Sequence, residues 1–580
     1  MPKERQTELS LRKLLPIWFT VISVALWPAI IQAQVATKTP PTPFPTTTSA
    51  QEEPLSTESN WHRALERGFF TVGIRYNHHP YSWLDIRGNV TGFDADILRS
   101  VAALWELAVK FEPVTRHTAT EMLHSGEVDF IAGGQPLFAH QLAEVSFSQP
   151  YHLDAVQIFV QTEAPWQSIE ELIGHNVGVK SVSEAEDFIR EWIRRNNFAF
   201  QFQPKGTLDL GLKALLMGEL DATLGLRSEF SQLEMEPGQI RPLEEQLGEI
   251  PIAFALPRSD SILKDVINHS LQQLTANGRM RELHAIYFPS FPHDRELIPR
   301  YVDVHEDAAF NPPAAITFPE HFALPRLRET ETLRVILVDQ RTAPLQQLSS
   351  QIAAALAERC NLTMEITVLD ALTAQETLQR GEADLLVGIE PRWAHSAVLD
   401  FTQPYLKQGL ILMTREADRY EQMTDLPSPI TLYLPAEDPI SQSQIEGLLE
   451  PYEIELAGVQ VVTSPFIINS LLGNPEVDAI LGNSAILAPL LQQNGQALKV
   501  MKDGADVLWF TNSYLSLATP KNDVAFFQAI ELAVQELRRE QAFTDLMRPF
   551  VPSQLPETST REVYWPGSLD SPANCRADDA

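Results

Sequence analysis

The sequence predicts an α/β protein that contains two copies of one domain, the second more divergent than the first. Short apolar runs rich in β-branched and aromatic residues alternate with amphipathic stretches of helical period, which predicts helices layered on mainly parallel sheets. Three segments also recur in the same order in the second half of the chain. Residues 126–140 match 381–395, residues 147–151 match 401–405, and residues 220–225 match 477–482. A chain of 580 residues exceeds one ordinary domain, and its length alone predicts three or four compact units.

The first copy opens with a strand, a polar hairpin and a helix. Residues 70–75 form a short apolar run typical of a strand, and residues 85–90 are polar enough for a hairpin. The motif Gly92-Phe93-Asp94-Ala95-Asp96 follows, and apolar residues at helical spacing predict a helix over residues 96–110.

The second copy repeats the strand and the helix without the hairpin. Residues 333–338 predict a strand and residues 351–359 a helix. Too few residues remain between Pro344 and Gln351 for the hairpin and its Gly-Phe-Asp motif.

Five features of the first copy, taken together and in order, resemble a known family. They are the first strand, the hairpin with its Gly-Phe-Asp-Ala-Asp motif, the following helix, Gly126-Glu-Val-Asp129 and Phe147-Ser-Gln-Pro-Tyr151. This set resembles the extracytoplasmic solute-binding proteins of family 3, the polar-amino-acid group that supplies ABC importers.

The resemblance implies tandem periplasmic-binding-protein-like (type II) bilobed domains. Each would have two mixed or parallel sheets flanked by helices and a two-strand hinge, with the ligand cleft between the lobes. The hinge strands expected in the first copy are residues 155–160 and 252–256, followed by a helix at 261–277. Their counterparts in the second copy are residues 410–413, 515–518 and 524–539.

The segments around the two domains have distinct compositions. Basic residues followed by an apolar run predict a signal peptide or a membrane anchor over residues 1–33, and either implies export, with an N-terminal membrane tether in the second case. A Thr/Pro-rich linker follows at 34–60. The predicted domains span 61–291 and 331–552, separated by a Pro-rich linker at 292–330 and followed by an acidic tail at 553–580.

Charge and cysteine content exclude several classes of protein. The net charge of −32 argues against a nucleic-acid partner, because no basic patch is evident. Only Cys360 and Cys575 are present, so the chain has no disulfide framework; they either form one bridge or remain a buried thiol and a tail thiol. No metal site and no cofactor are predicted.

The residues that the resemblance would assign to amino-acid binding are replaced. Family members that bind α-amino acids are expected to hold the carboxylate with an Arg and the ammonium with an Asp. These positions fall on Gln141 and Leu226, and Pro136 stands where a backbone N–H donor is expected. A free α-amino acid would lose solvation without gaining partners for its charges. The corresponding residues of the second copy are Ser396, Asn483 and Pro391.

Other positions of the first copy are candidates for ligand contact. The full set is Arg75, His78, Tyr81, Arg116, Gly133, Gly134, Gln135, Gln141, Lys180, Ser183 and Arg227. If its cations face inward, the cleft is locally positive and favours an anionic solute. The alternative is that Arg75 and Arg116 reach solvent or pair with Glu184 and Glu186.

Together these features predict an exported solute-binding protein that captures a small polar or anionic solute by hinge closure for an ABC permease. The alternative is a non-transport ligand sensor or interaction scaffold with degenerate binding domains, because both amino-acid clamps are lost. Enzymatic activity is not predicted, since the chain contains no Gly-x-Ser-x-Gly elbow and no assignable Ser/His/Asp set.

Overall fold

The computed structural model describes residues 57–566, except 197, 199–200, 233–237, 292–296, 305–309, 340–341, 419, 439, 495–496, 505 and 562. The predicted signal peptide or anchor and the position of Cys575 therefore lie outside the described residues. Within the described part of the chain, no helix is long and apolar enough to cross a membrane.

The first lobe of the first domain, lobe 1A, is built on a five-stranded sheet. Its strands lie in the order Ala108–Pro113, Phe69–Ile74, Phe130–Ala132, Ala255–Pro257 and Val145–Phe147. A small sheet, Asn77–His78, Ser82–Leu84 and Val90–Thr91, forms the predicted hairpin region. The helices are Asn60–Arg67, Phe93–Leu104, Ala119–His124, Ser261–Ala276 and Arg279–Tyr287, with a 3₁₀ turn at Ala139–Ala143.

The second lobe of this domain, lobe 1B, has a six-stranded sheet. Its strands lie in the order Gln201–Lys205, Asn176–Lys180, Ala222–Leu226, His152–Gln161 and Ile240–Pro242, and Gly248–Ile252 also pairs with His152–Gln161. The helices are Glu184–Asn196, Leu208–Leu216 and Arg227–Ser231, with a 3₁₀ turn at Glu170–Leu172.

The first lobe of the second domain, lobe 2A, repeats the strand order of lobe 1A. The order is Thr363–Leu369, Thr332–Val338, Leu385–Ile389, Ser513–Pro520 and Leu399–Phe401, and Leu406–Gln408 pairs with Ser513–Pro520. Its helices are Ala323–Thr330, Ala343–Arg359, Ala371–Gln379, Val524–Arg538 and Gln541–Met547. The 3₁₀ turns are Trp393–His395, Arg548–Phe550 and Pro556–Thr558.

The second lobe of the second domain, lobe 2B, likewise follows lobe 1B. Its strands lie in the order Leu456–Val462, Ile430–Pro435, Ala479–Asn483, Leu410–Arg415 and Leu498–Val500, beside a two-stranded ribbon of Lys502–Asp503 and Asp506–Val507. The helices are Gln442–Leu449, Ser464–Gly473 and Ser484–Asn494, with 3₁₀ turns at Met423–Asp425 and Glu450–Tyr452. The shared topology confirms the predicted tandem α/β fold with two sheets in each domain.

Two predicted elements of the first domain have different bounds in the structure. The helix predicted over residues 96–110 is Phe93–Leu104, because Glu106 at φ 56° turns the chain and Ala108–Pro113 pairs as a strand with Phe69–Ile74. The return strand predicted over 252–256 is two strands, since the backbone leaves one sheet after Ile252 and enters the other at Ala255. This break is where the chain crosses between the lobes.

The start of the second domain also differs from the prediction in one respect. Its first long helix begins at Ala343 rather than near Gln351, and it follows strand Thr332–Val338 without the hairpin, as predicted. Within the predicted linker, Ala323–Thr330 forms a helix whose first N–H is bound by Asp523, 2.7 Å from Oδ2. Asp260 holds the N–H of Asn60 at the same distance in the first domain.

The two domains are packed against each other through their A lobes. Lys521 Nζ lies 2.7 Å from Asp265 Oδ2 and 3.1 Å from Asp400 Oδ1, and Lys264 Nζ also lies 3.1 Å from Asp400 Oδ1. All four side chains are largely buried. The carboxylate of Asp303 accepts the N–H of Trp393 at 2.8 Å, which attaches the linker to lobe 2A.

The described part of the predicted tail contacts both domains. Arg561 pairs with Glu249 of lobe 1B at 2.5 Å, and the N–H of Val563 donates to Gln403 Oε1 of lobe 2A at 3.1 Å. Pro566 O accepts the N–H of Ala139 in lobe 1A at 2.8 Å. This segment therefore links three of the four lobes.

Candidate functional site

The floor of the first domain's cleft is a tight Gly133-Gly134 turn held by Asp94. Both glycines have positive φ, 92° and 69°, a backbone conformation that favours glycine. Asp94 Oδ2 accepts both of their N–H groups, at 2.7 and 2.8 Å, and the hydroxyl of Tyr151 at 2.6 Å. Burial raises the pKa of Asp94 to about 6, although these three donors favour the ionised form. The Gly-Phe-Asp motif thus shapes the cleft floor.

Arg75 stands at the end of strand Phe69–Ile74 and ties the two lobes together. Its Nε and Nη2 donate to Gly133 O at 3.1 and 3.0 Å, and Nη2 also donates to Gly134 O at 2.7 Å. Its Nη1 donates to Glu184 Oε1 of lobe 1B at 2.7 Å. Burial opposes ionisation of Glu184, but several neighbours together, Arg75 first and Arg116 among them, hold the pKa of Glu184 well below its usual value.

A second ion pair between the lobes lies beside the first. Arg116 Nη2 of lobe 1A lies 2.5 Å from Asp187 Oδ2 of lobe 1B. Lys180 pairs within lobe 1B, with Nζ 2.6 Å from Glu229 Oε1. Arg75 therefore pairs with Glu184, as one of the two predicted alternatives has it, whereas Arg116 pairs with Asp187 and not with Glu186. The expectation of a net positive cleft is wrong at these three cations, because each has its own carboxylate.

His78 and Tyr81 are buried between the lobes. His78 Nδ1 lies 2.8 Å from Gly133 O, and the Tyr81 hydroxyl donates to Asp154 Oδ2 at 2.8 Å. Asp154 also accepts the N–H of Ser228 at 3.1 Å, and burial raises its pKa to about 6. Tyr81 thus connects lobe 1A to lobe 1B through a buried carboxyl group.

The remaining predicted residues make local contacts. Gln141 Oε1 accepts the N–H of Phe138 at 3.2 Å, and Gln135 Nε2 approaches Pro136 O at 3.4 Å. The Ser183 hydroxyl accepts the N–H of Glu186 at 3.2 Å and so caps the helix that carries Glu184. The Arg227 guanidinium lies over the ring of Phe291, 4.4 Å from its centroid.

A cavity of ≈ 80 Å³ lies in lobe 1A beside the two ion pairs, and Glu184 contributes a wall from lobe 1B. It brings together four predicted residues: Arg75, Arg116, Gln135 and Gln141. Its polar walls also include Thr115, Thr120, Glu144 and Glu184. Among the described residues, the other predicted ones do not line it. The walls carry two cations and two carboxylates, so their charges balance.

Several contributing residues carried no usable sequence signal. Asp94 belongs to the Gly-Phe-Asp motif, but nothing in that motif shows that its carboxylate accepts from a turn 39 residues away, at Gly133. Asp154 is an acidic residue in a segment without a motif, and only the fold places it against Tyr81.

The clamp positions of the second domain have structural partners. The Ser396 hydroxyl donates to Trp393 O at 2.9 Å within a 3₁₀ turn. Asn483 Oδ1 accepts the N–H of Ala485 at 2.9 Å at the start of helix Ser484–Asn494. Both side chains stabilise local turns.

Burial of His78 makes acid stability a test of this site. Burial first, and then the charge of Arg75, lower the pKa of His78 to about 3, against 6.5 in the unfolded chain. Below pH 6.5 the unfolded state binds a proton at His78, whereas the folded state keeps His78 neutral down to about pH 3. The contribution of His78 to the free energy of unfolding is therefore complete above pH 6.5 and is lost as the pH falls. At pH 4 the loss from His78 is about 3 kcal/mol.

We expect His78→Gln to flatten the pH profile of unfolding between pH 6.5 and 4 by about that amount, as measured by urea denaturation at fixed pH values. His117→Gln, at an exposed position, is the control and should leave the profile unchanged. An unaltered slope in His78→Gln would show that the histidine is not buried in its neutral form.

Comparison with known proteins places the chain in a family. Residues 70–290 and 346–553 both match the bacterial extracellular solute-binding proteins, family 3. The two matches cover well over half of the sequence, and the chain belongs to this family. This confirms the predicted membership and the presence of two tandem copies.

The relatives are distant. A putative amino-acid ABC transporter-binding protein of Escherichia coli strain K12 (YhdW) is 24% identical over 214 residues, which is 36% of this chain and 63% of the relative. The chain thus spans less than two thirds of the first curated relatives. The L-cystine-binding protein TcyJ of the same strain is 21% identical over 229 residues, 39% of this chain and 85% of the relative. A solved ancestral arginine-binding protein bound to glutamine is 23% identical, with a TM-score of 0.33, over 38% of this chain and 98% of that protein.

Proposed function

We propose that the first domain captures a small polar or anionic solute in its ≈ 80 Å³ cavity, for delivery to an ABC permease. The observation that supports this proposal is a polar cavity lined by Arg75, Arg116 and Glu184, which take part in two ion pairs that join the lobes, Arg75–Glu184 and Arg116–Asp187. Opening the domain separates both pairs, and closing it restores them around the solute.

The chemistry of the cavity limits the solute. One water needs roughly 10–15 Å³ of such space, so this cavity holds a solute of only a few heavy atoms. An anionic group would compete with Glu184 for Arg75 or with Asp187 for Arg116. Arg116 is the more accessible of the two cations, with 30% of its side chain exposed against 14% for Arg75. We therefore assign first contact with the anionic group to Arg116.

The relatives' names point to amino acids as the first class to test. YhdW is named as a putative amino-acid binder and TcyJ as an L-cystine binder. Gln141 and Leu226 replace the charged clamp here, so a short dicarboxylate fits better than a free amino acid, whose ammonium group would lack a partner.

Isothermal calorimetry of the whole exported chain with small amino acids and short dicarboxylates tests the proposal. We expect saturable binding to one site, weakened at least tenfold by Arg116→Gln, because the substitution removes a charge-assisted contact of about 1.4 kcal/mol or more. Arg190→Gln is the matched control, since Arg190 pairs with Glu186 on the exposed face of the same helix as Asp187. Binding that Arg116→Gln leaves unchanged would rule out this cavity as the site.

A second candidate function is a non-transport sensor or scaffold. The tail segment joins both lobes of the first domain to lobe 2A through Ala139, Glu249 and Gln403, which suits transmission of a lobe movement to the second domain. Well-folded protein that binds no solute in the calorimetric panel would favour this candidate. Neighbouring permease and ATPase genes would favour transport, and neighbouring signalling genes the sensor.

The remaining proposals concern location and chemistry. Family membership places the chain among extracellular proteins, and we assign residues 1–33 to a signal peptide or anchor. N-terminal sequencing of the mature protein distinguishes the two, because only a signal peptide is removed. We assign no enzymatic role, and turnover of a bound organic acid would refute that assignment.

A further inference from the structure

A second cavity, of ≈ 140 Å³, lies between the two A lobes and is larger than the one in the cleft. The repeated Phe-x-Gln-Pro segments, Phe147 to Pro150 and Phe401 to Pro404, line it from the two domains. Helices Ser261–Ala276 and Val524–Arg538 contribute further walls, and the tail segment adds Trp565. The cavity is therefore a feature of the tandem arrangement and not of either domain alone.

The walls combine aromatic rings with charged groups. Phe147, Phe401 and Phe527 supply flat apolar surface. Lys264 also faces the cavity, with Nζ 5.3 Å from the centroid of the Phe527 ring. This pairing suits a ligand that has an apolar ring and a polar head.

The carboxylates in the walls already have donors. Asp400 accepts hydrogen bonds from Lys264, from Lys521 and from the N–H of Asn522, at 3.0–3.1 Å. Asp265 accepts from Lys521 at 2.7 Å. Glu531 accepts the N–H and the side-chain amide of Gln403, at 2.9 and 2.7 Å. Asp400 and Glu531 thus have little capacity left for a ligand, whereas Asp265 shows this one hydrogen bond among the described residues.

The donors in the walls are less fully used. Lys264 Nζ has three N–H groups, and the described part of the chain shows one hydrogen bond from it, to Asp400 Oδ1. Asn268 uses its Oδ1 to accept the N–H of Gln149 at 2.7 Å, and no described residue accepts from its amide nitrogen. The other cations in the walls form ion pairs: Lys521 pairs with Asp265 and Asp400, and Arg561 pairs with Glu249. Lys264 and Asn268 therefore leave N–H donors available to a ligand.

We infer that this interdomain cavity binds a small carboxylate with an aromatic or alicyclic body. The carboxylate accepts from Lys264 and Asn268, and the ring lies among Phe147, Phe401 and Phe527. This site is separate from the cavity in lobe 1A and does not depend on the proposed function of the cleft. Because its walls come from both domains, an occupant stabilises their association.

Benzoate is the probe. Calorimetry with the full chain should show saturable binding of one benzoate, weakened at least tenfold by Lys264→Met, which removes the charge but keeps an apolar side chain against Phe527. Ser146→Phe places a ring into the cavity from strand Val145–Phe147 without breaking an ion pair, and should abolish binding. Far-UV circular dichroism and the melting temperature verify that both variants are folded.

Arg116→Gln is the control that distinguishes the two sites, since Arg116 lines only the cleft cavity. We expect it to bind benzoate with wild-type affinity. Absence of saturable binding to the wild-type chain, loss of binding in Arg116→Gln, or unchanged binding in Ser146→Phe would each overturn the inference. The first and third results leave the proposed capture of a solute in the cleft unaffected, whereas loss of binding in Arg116→Gln would place the benzoate in the cleft.

Discussion

Replacing Lys521 with methionine should destabilise the protein by about 3–5 kcal/mol, because it leaves two buried carboxylates without their shared cation. Lys521 is 8% exposed and bonds Asp265 and Asp400, which come from different domains. The charges of Asp265 and Asp400, in that order, raise the pKa of Lys521 although burial opposes it, and the pKa of Asp265 is raised by burial. Lys264 retains contact with Asp400 but does not bond Asp265. The main loss therefore falls on Asp265.

Urea denaturation followed by tryptophan fluorescence and far-UV circular dichroism measures this effect. We expect the variant to unfold in two separated steps, since the cluster couples the domains and each has its own core. Lys213→Met is the matched control, because the Lys213–Asp209 pair is exposed and should contribute at most about 0.5 kcal/mol.

A second substitution separates charge burial from loss of packing. Lys521→Met combined with Asp265→Leu removes the orphaned carboxylate and should recover part of the lost stability. This account would be contradicted if the double variant had a lower free energy of unfolding than Lys521→Met.

The fold could be predicted because its signals are local. Strand Thr332–Val338 and helix Ser261–Ala276 appear where apolar periodicity places them, within a residue or so. The repeat was visible because the segments at 126–140 and 381–395 keep their turn residues. The predicted bounds are wrong where the chain changes direction without a Gly or Pro to mark the turn. At Glu106 a positive φ turns the chain just after the helix ends, although the apolar pattern would extend that helix.

The site was less predictable because its contacts join distant parts of the chain. Arg75 was selected as a candidate, but its partner Glu184 lies 109 residues away in the other lobe. Charged residues in a sequence do not reveal whether they meet a ligand or each other. The interdomain cluster is harder still, because Asp265, Asp400 and Lys521 come from three unrelated segments. Only tertiary packing shows that these groups are buried together.

Asp94→Ala is expected to cost at least about 3 kcal/mol in stability and to abolish solute binding in the cleft. The substitution leaves three buried donors without an acceptor, namely the N–H groups of Gly133 and Gly134 and the hydroxyl of Tyr151. Each unsatisfied buried donor costs about 1–3 kcal/mol. The turn whose carbonyl groups hold Arg75 and His78 would lose its support, so the cavity wall would move with it.

Two further variants make the test specific. Asp94→Asn keeps one side-chain oxygen that can accept from both glycines, and it should recover at least half of the stability lost in Asp94→Ala. Asp96→Ala, two residues along the same helix, removes bonds to Arg99 and Tyr287 at a partly exposed position and should cost about 1 kcal/mol without affecting binding. Urea denaturation and calorimetry measure the two properties. Equal losses in Asp94→Ala and Asp96→Ala would show that the carboxylate of Asp94 does not support the glycine turn, and the cleft geometry would then need another source of rigidity.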